Sequence, residues 1–264
     1  MPNLLVKSNN KRGITLEITP ESAGWSHVGF CVRKLEKGDR FSLKTESREY
    51  CLVPVIGTFD AVVDGEKFEQ VGGRQDLFSQ VLTEHLYVPE NAELELQALD
   101  ALELAFCSAP GGSSLPARRI ERSSQSQSKR GTGTNTRFIH DILPETEPAH
   151  SLLVVEVFTP AGNWSSHPPH KHCVDNPPLE SALEETYYHR INPPQGFAFQ
   201  RVYTDDRSLD ETMAVENGDC VLVPEGYHPV GAAHGYDLYY LNVMAGPKRV
   251  WQFKNDPEHE WIIN

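Results

Sequence analysis

Short apolar runs separated by turn residues dominate the hydrophobic pattern of this chain. Clear examples are YCLVPVIGTFDAVVDG, LLVVEVFTP, GFAFQRVYT, DCVLVPEG and YDLYYLNVM, all rich in β-branched and aromatic side chains. The chain has 19 glycines and 19 prolines, which lie between and around these runs. Long amphipathic helical patterns are nearly absent. The pattern therefore predicts an all-β sandwich or barrel.

The composition changes sharply near the midpoint of the chain. The segment from Ser108 to Phe138 is rich in Ser, Gly, Arg and Gln, and it cannot bury enough apolar surface to form a core. On each side of it an apolar run ends in Val-Pro, first at Val88 and then at Val223. This repetition suggests two copies of one barrel. We predict an N-terminal barrel at 1–110, a linker or long loop at 111–138, and a C-terminal barrel at 139–264.

Composition and charge narrow the class of protein. The chain has 264 residues, 39% of them hydrophobic, and its formal net charge is −13. Nucleic acid and anionic membranes are poor partners for such a surface, so we expect a soluble protein that takes a small ligand. No secretory signal and no apolar window of membrane-spanning length is visible, which predicts a cytoplasmic location and leaves a homo-oligomer open. Five scattered cysteines without a C-x-x-C spacing argue against a disulfide framework and against a thiolate zinc site.

A pair of histidines is the strongest candidate for chemistry. His170 and His172 are separated by one residue, so on a β-strand both side chains project from the same face. A later histidine, His228, follows a turn formed by Pro224 and Gly226, and in a barrel its strand could lie opposite the pair. Imidazole together with carboxylate suits Zn, Fe, Mn or Ni. This spacing predicts a divalent metal site.

The run EETYYHRI could supply the carboxylate. Because side chains alternate along a strand, Glu185, Tyr187 and His189 share one face, whereas Glu184 lies on the other with Tyr188 and Arg190. Only one of the two glutamates can therefore face the interior. His167 lies in a proline-rich turn, where a role in ligation is not expected. We interpret the remaining histidines as ordinary core or surface residues: His27, His85, His140, His150, His234 and His259.

The motif around these residues resembles that of the cupin superfamily. Gly162 with the His-Lys-His string and a later Glu, and then Gly218, Pro224, Gly226 and His228, are similar to the two cupin motifs. Longer strings resemble the 5-deoxy-glucuronate isomerase family of inositol degradation, which is related to 5-keto-4-deoxyuronate isomerase. Examples are WSSHPPHKH, EETYYHRINPPQGFAFQRVYTDD, DETMAVENGDCVLVPEGYHPV and, in the first half, GTFDAVVDGE. The resemblance runs essentially from end to end.

The resemblance implies two tandem cupin domains, antiparallel barrels or jelly rolls, with metal in the C-terminal one alone. The ligands it implies are His170, His172, Glu185 and His228, with zinc as the first choice of metal and Mn²⁺, Fe²⁺ or Ni²⁺ as alternatives. Glu185 is preferred to Glu184 because the glutamate of the related enzyme begins a Glu-x-Tyr string. Most cupins have three or four residues between the second histidine and the glutamate, so the longer insert here implies a loop at the barrel mouth.

The implied reaction is an aldose-ketose isomerisation, from 5-deoxy-D-glucuronate to 5-dehydro-2-deoxy-D-gluconate in myo-inositol degradation. The metal would stabilise negative charge that develops on oxygen. Candidates for proton transfer are Tyr187, His189, Tyr240 and His167, and the sequence does not choose among them. Two rival interpretations use the same barrel: a metal-dependent oxygenase, and a non-catalytic cupin that binds a sugar.

The substrate carboxylate requires a local cation in this acidic protein. Arg201 alternates with Phe197 and Phe199 on one strand face, so it would bind the carboxylate if that face lines the barrel. The alternative is an ion pair between Arg201 and an acidic surface neighbour. Arg190 is a second candidate for binding the substrate. An anion-binding role for Arg137, in the predicted linker, is also open.

Overall fold

The computed structural model describes residues 3–9, 11–112 and 114–263. Over these residues the chain is all-β, as predicted, with a single short α-helix, α1 (Pro20–Ala23). The first ten strands are β1 (Leu5–Val6), β2 (Gly13–Ile18), β3 (Gly29–Leu35), β4 (Arg40–Lys44), β5 (Arg48–Val63), β6 (Glu66–Arg74), β7 (His85–Val88), β8 (Glu93–Ala98), β9 (Leu102–Pro110) and β10 (Arg118–Ile120). Within the described ranges, no helix has the length and apolar character needed to cross a bilayer.

The remaining strands lie in the second half of the chain. They are β11 (Ser126–Arg130), β12 (Arg137–Leu143), β13 (Leu153–Thr159), β14 (Trp164–Ser165), β15 (His170–Lys171), β16 (Cys173–Asn176), β17 (Glu180–Ala182), β18 (Glu184–Asn192), β19 (Phe197–Tyr203), β20 (Asp210–Glu216), β21 (Cys220–Val223), β22 (Val230–Ala232), β23 (Asp237–Ala245) and β24 (Lys254–Asn255). Short 3₁₀ turns occur at Leu77–Ser79, Arg122–Ser124, Gly133–Asn135 and Glu260–Ile263. The Ser- and Arg-rich segment thus contains two strands, β10 and β11.

The chain forms two compact units, and neither is continuous in sequence. The unit we call the C-terminal unit comprises the N-terminal residues through Ser8, Gln127–His140 and the chain from Val155 onward. The N-terminal unit comprises Asn9–Ser126 and Asp141–Val154. Both Val-Pro repeats occupy equivalent places, because β7 pairs with the long strand β5 and β21 pairs with the long strand β18.

The N-terminal unit is organised around β5, which has 16 residues. One sheet runs in the order β10-β7-β5-β9-β3-β2, and β5 continues into pairings with β6 and β8, the latter also bound to β4. Buried side chains from these strands form an apolar cluster that includes Leu52, Phe59, Val71, Leu86 and Leu104, each 0% exposed. Burial of such side chains contributes about 1.5–3 kcal/mol each, so the cluster supplies stability rather than chemistry.

The C-terminal unit has two main antiparallel sheets. Seven strands run in the order β1-β21-β18-β23-β13-β12-β11, and four run in the order β14-β22-β19-β20. Over the described residues neither sheet closes on itself, so the jelly-roll alternative of the prediction applies rather than a closed barrel. The inner strands β18 and β23 are almost wholly buried, and they carry most of the polar side chains described below.

The insert that follows His172 is a hairpin and not the predicted loop. Strands β16 and β17 pair from Cys173 opposite Ala182 to Asn176 opposite Glu180. The Glu180 carboxylate accepts hydrogen bonds from the backbone N–H groups of Cys173 at 2.8 Å and Val174 at 3.1 Å. These bonds satisfy backbone donors locally, which is why a segment that looks like a turn-rich loop in sequence becomes regular.

Candidate metal centre

The first two histidines lie at the edge of the C-terminal unit, on and just after β15. His170 pairs with Asn255 of β24, and the intervening Lys171 points away to form an ion pair with Asp205. His172 follows, and its carbonyl accepts a hydrogen bond from the backbone of Leu183 at 3.0 Å. The two imidazole rings therefore lie on one side of the chain, with centroids 6.2 Å apart, as the alternation of an extended chain dictates.

His228 reaches the same place through a tight bend. Gly226 has φ +87°, and a Cβ atom there would lie 2.4 Å from the carbonyl oxygen of Tyr203, so only glycine fits. This close approach lets Tyr227 exchange backbone hydrogen bonds with Tyr203 at 2.8 and 2.9 Å. The next residue, His228, is then fully buried, and its ring centroid lies 4.8 Å from that of His170. One ligand atom from each of the three histidines, including His172, lies within 4.8 Å of the others.

The central strand β18 supplies a carboxylate to this cluster. Glu185 is 1% exposed, and its Oε2 lies 3.0 Å from Nε2 of His172 and 3.3 Å from Nε2 of His228. Glu184 is only half-buried on the opposite face of the strand. The structure thus brings His170, His172, His228 and Glu185 together, and it places Glu185 rather than Glu184 at the cluster.

The hydrogen bonds of the histidines show how the ring protons are distributed. Nδ1 of His228 lies 2.9 Å from the carbonyl oxygen of Gly226, and Nδ1 of His172 lies 3.3 Å from that of Leu183. Because a carbonyl oxygen only accepts, each Nδ1 carries a proton, and a ring in its neutral form then turns its Nε2 lone pair toward Glu185. Lone pairs and a carboxylate repel one another unless a cation lies between them. This donor set fits a divalent metal ion.

Burial keeps most of these rings neutral, which is the form that binds metal. Burial, together with the neighbouring histidines, holds the pKa of His170 well below its usual value. Burial lowers the pKa of His228 to about 4. His172 differs, because burial lowers its pKa but the hydrogen bond and charge of Glu185 outweigh that effect and raise it. A proton on His172 would still leave the Nε2 lone pair of His228 without a donor.

Two tyrosines form a polar wall beside the cluster. The Tyr187 hydroxyl lies 2.9 Å from the Ser166 hydroxyl, and the Tyr240 hydroxyl lies 2.5 Å from the Ser165 hydroxyl. Their ring centroids are 4.8 Å apart, and the Tyr187 ring is 5.6 Å from that of His228. Burial raises the pKa of both phenols, of Tyr187 well above its ordinary value. Both hydroxyls therefore remain protonated and can donate a hydrogen bond at neutral pH.

His189 shares the inward face of β18 with Glu185. Its Nε2 lies 2.9 Å from Oε1 of Gln200, whose own amide nitrogen lies 3.5 Å from the carbonyl of His228. With that amide orientation Nε2 of His189 donates, and its buried Nδ1 keeps a lone pair that has no hydrogen-bond partner among the described residues. Burial lowers the pKa of His189 to about 4, so the ring is neutral at pH 7.

The two arginines that the sequence suggested for carboxylate binding lie away from the cluster. Arg201 forms a two-point ion pair with Asp210, at 2.7 Å for each contact. Its neighbours Phe197 and Phe199 are 41% and 48% exposed, so this face of β19 points to solvent and does not line the interior. Arg201 thus forms an ion pair with an acidic surface neighbour, which was the alternative to substrate binding in the sequence analysis. Arg190 is on the opposite face of β18 from Glu185, and its Nε donates to Asn217 at 2.9 Å.

A cavity of about 450 Å³ lies against His170. Its lining includes Arg130, Arg137, His167 and Phe253. Sequence reasoning placed both arginines in a linker, where charged residues are usually solvated, and left only an open anion-binding role for Arg137. The local signal that could have marked them is the strand-like run that begins at Arg137, directly after the Ser- and Gly-rich segment.

Comparison with known proteins agrees with this architecture. A sequence profile of the KduI/IolB family matches residues 4–262. A 5-deoxy-glucuronate isomerase from Geobacillus thermodenitrificans is 57% identical, with 97% of this chain and 93% of the relative covered. A protein of the same name from Listeria monocytogenes is 48% identical, with 100% and 99% covered.

Solved structures extend the likeness. An IolB-like protein from Salmonella typhimurium LT2 superposes with a TM-score of 0.98 at 49% identity, over 99% of this chain and 100% of that one. A variant of Bacillus subtilis oxalate decarboxylase superposes with a TM-score of 0.66 at 12% identity, over 97% of this chain and 80% of that one, and this likeness shows the bicupin fold alone. From the profile match and the full-length relatives, the chain belongs to the KduI/IolB family.

Proposed function

We propose that this protein is an isomerase that converts 5-deoxy-D-glucuronate to 5-dehydro-2-deoxy-D-gluconate in inositol catabolism. The observation that carries the proposal is the convergence of three imidazoles and the Glu185 carboxylate on one buried point. This convergence occurs in a chain that is 57% identical to a relative bearing the name 5-deoxy-glucuronate isomerase. A cytoplasmic location stays a prediction from the sequence, and the sequence leaves a homo-oligomer open.

The proposed ligands of the metal are His170, His172, Glu185 and His228. The buried lone pair of His228 Nε2, which lacks a hydrogen-bond partner among the described residues, supports this assignment. Zinc is the first candidate because it accepts histidine and carboxylate ligands and can expand its coordination from four ligands to five. Mn²⁺, Fe²⁺ and Ni²⁺ are the alternatives. When bound, the ion supplies a Lewis acid for the oxygen atoms on which negative charge develops.

The protein's own residues would move the protons. The reaction breaks one C–H bond at the hydroxyl-bearing carbon next to the aldehyde and forms one C–H bond at the former aldehyde carbon. The hydroxyl proton passes to the aldehyde oxygen, so the atoms and charges balance. We assign the base to His189, whose ring is uncharged at pH 7 and whose Nδ1 has no hydrogen-bond partner among the described residues. The protonated hydroxyls of Tyr187 and Tyr240 would donate hydrogen bonds to the reacting oxygens.

The decisive experiment combines elemental analysis with an isomerase assay on one preparation. Metal-replete protein is incubated with 5-deoxy-D-glucuronate without oxygen, and NMR follows loss of the aldehyde proton signal. We expect conversion with one equivalent of a divalent metal per chain. His170→Ala should lose both metal and activity, whereas His234→Ala, which changes a histidine outside the cluster, should keep both.

Three outcomes would contradict the proposal. Binding of the sugar acid without conversion would indicate a non-catalytic cupin. A strict requirement for oxygen would indicate an oxygenase. A His170→Ala variant that keeps full metal content and activity would overturn the site, even if wild-type protein is an isomerase.

A further inference from the structure

The cavity beside His170 has the size and the chemistry of a substrate pocket. Its volume of about 450 Å³ falls within the range of small-molecule sites, which run from about 300 to 1,000 Å³. His170 is the one histidine of the cluster that is only half-buried, so the cluster is open toward this cavity. A sugar acid whose reacting end lies at the cluster would therefore extend its other end into the cavity.

Arg137 is held in this cavity with one edge of its guanidinium free. Its Nη1 donates to the backbone carbonyls of Asn135 at 3.0 Å and His167 at 3.2 Å. Its Nε and Nη2 make no hydrogen bond or ion pair in the part of the chain that the structure describes. These two nitrogens form the edge of the fork that binds a carboxylate with two parallel hydrogen bonds.

The turn before Arg137 is built around this guanidinium. Gly131 has φ +73°, and a Cβ atom there would lie 2.1 Å from the carbonyl oxygen of Asn135 and 2.9 Å from Nη1 of Arg137. A side chain at position 131 would therefore displace the carbonyl that anchors the arginine. Anchoring of this kind reduces the entropy that the side chain loses when a ligand binds.

The charge of the cavity lining is opposite to that of the whole protein. The formal net charge of the chain is −13, but among the described residues the lining includes two arginines, Arg130 and Arg137, and no acidic side chain. Arg130 is exposed at the end of β11 and makes no ion pair among the described residues. Burial, with a contribution from the charge of Arg130, lowers the pKa of Arg137. Two cations therefore share one pocket without a counter-ion among the described residues, which favours an anionic ligand.

We propose that Arg137 binds the substrate carboxylate through its Nε–Nη2 edge and that Arg130 adds long-range attraction at the cavity mouth. The proposal rests on the function proposed above, because it takes the sugar acid as the ligand. It replaces Arg201 and Arg190 as the substrate-binding arginines. The role of Arg137 is to fix the distance between the carboxylate and the reacting end, and hence to select acids over neutral sugars.

The test compares 5-deoxy-D-glucuronate with its methyl ester, which lacks the charge. For wild-type protein we expect both KM and the dissociation constant from titration calorimetry to be about 100-fold lower for the acid than for the ester. A difference of this size is in keeping with a charged two-point contact. Arg137→Gln should abolish this preference and leave metal content unchanged. Arg137→Lys should restore part of it, because the charge returns without the fork. Arg130→Gln should weaken binding of the acid only a few-fold.

Arg40→Gln is the matched control, because it makes the same chemical change on an exposed strand of the N-terminal unit and should leave both constants unchanged. Equal preference for acid and ester in wild-type protein, or an unaltered preference in Arg137→Gln, would overturn the proposal. Failure of the proposed function gives a different result: wild-type protein would bind the acid through Arg137 and never convert it. Wild-type protein that does not bind the acid at all would overturn the carboxylate site as well.

Discussion

Each unit of this protein has a buried glutamate on its long central strand, and these two carboxylates have opposite environments. Glu49, on β5 of the N-terminal unit, is 0% exposed, and Glu185, on β18 of the C-terminal unit, is 1% exposed. Glu49 accepts from the Tyr87 hydroxyl at 2.6 Å and from three successive backbone N–H groups, those of residues 150, 151 and 152, at 2.6–2.8 Å. Glu185 instead faces imidazole nitrogens, at 3.0 and 3.3 Å.

The difference teaches that burial of a charge does not by itself mark a functional site. The carboxylate of Glu49 has its lone pairs filled by fixed donors, so it organises local structure and has no capacity left for a ligand. The Glu185 carboxylate instead faces imidazole Nε2 atoms of two histidines, and in the proposed site a bound cation would lie between them. What separates the two sites is therefore the chemistry of the neighbours.

The largest effect should come from Glu185→Gln. The substitution keeps the shape but removes the charge that faces His172 and His228. We expect kcat/KM to fall about 1,000-fold, which corresponds to about 4 kcal/mol, with metal affinity reduced as well. The free energy of unfolding of the metal-free protein should change by less than about 1 kcal/mol, since relief of repulsion offsets the lost bonds. A variant with normal metal affinity and a normal rate would show that Glu185, like Glu49, has only a structural role.

Glu49→Gln should give the reverse result. An amide nitrogen would face N–H donors at residues 150 to 152, so buried donors would be left unsatisfied. We expect the free energy of unfolding to fall by about 3 kcal/mol, as measured by urea denaturation. Metal content and kcat of the folded fraction should match those of wild-type protein. A loss of metal without a loss of stability would show that the two glutamates cannot be separated in this way.

His189→Gln probes whether the polar interior of the C-terminal unit performs chemistry or packing. Glutamine can still donate to Gln200 but offers no imidazole lone pair, so a base is lost without an empty space. We expect kcat to fall about 10- to 100-fold, with KM and metal content close to those of wild-type protein. His140→Gln is a suitable control, because His140 is a buried histidine whose Nδ1 is already bound to Glu156 at 3.1 Å. Equal values of kcat for the two variants would show that His189 is not the base.

Strand periodicity predicted much of this arrangement. It identified the all-β class and the common face of Glu185, Tyr187 and His189, because alternation depends only on the local geometry of an extended chain. It could not decide which face of β19 lies inside, since that depends on packing against other strands. Arg201 was consequently a candidate for the substrate site, and the structure instead pairs it with Asp210.

The arginines of the cavity could not be predicted for a related reason. Arg130 and Arg137 lie in or beside a segment whose composition is typical of a linker, and nothing in their spacing indicates a pocket. Their position depends on the turn at Gly131 and on backbone carbonyls distant from any motif. Residues that reach a cavity through tertiary placement alone leave no periodic signal in the sequence.

Strand β1 has a consequence for the synthesis of this protein. Leu5 pairs with Val221 and Val6 with Cys220, so the N-terminal strand completes the edge of the sheet that carries Glu185. Strand β1 therefore has no partner in this sheet until β21 has been synthesised. The histidine cluster is likewise incomplete until His228 has been synthesised. The proposed metal site is therefore complete only when segments that are far apart in sequence have folded together.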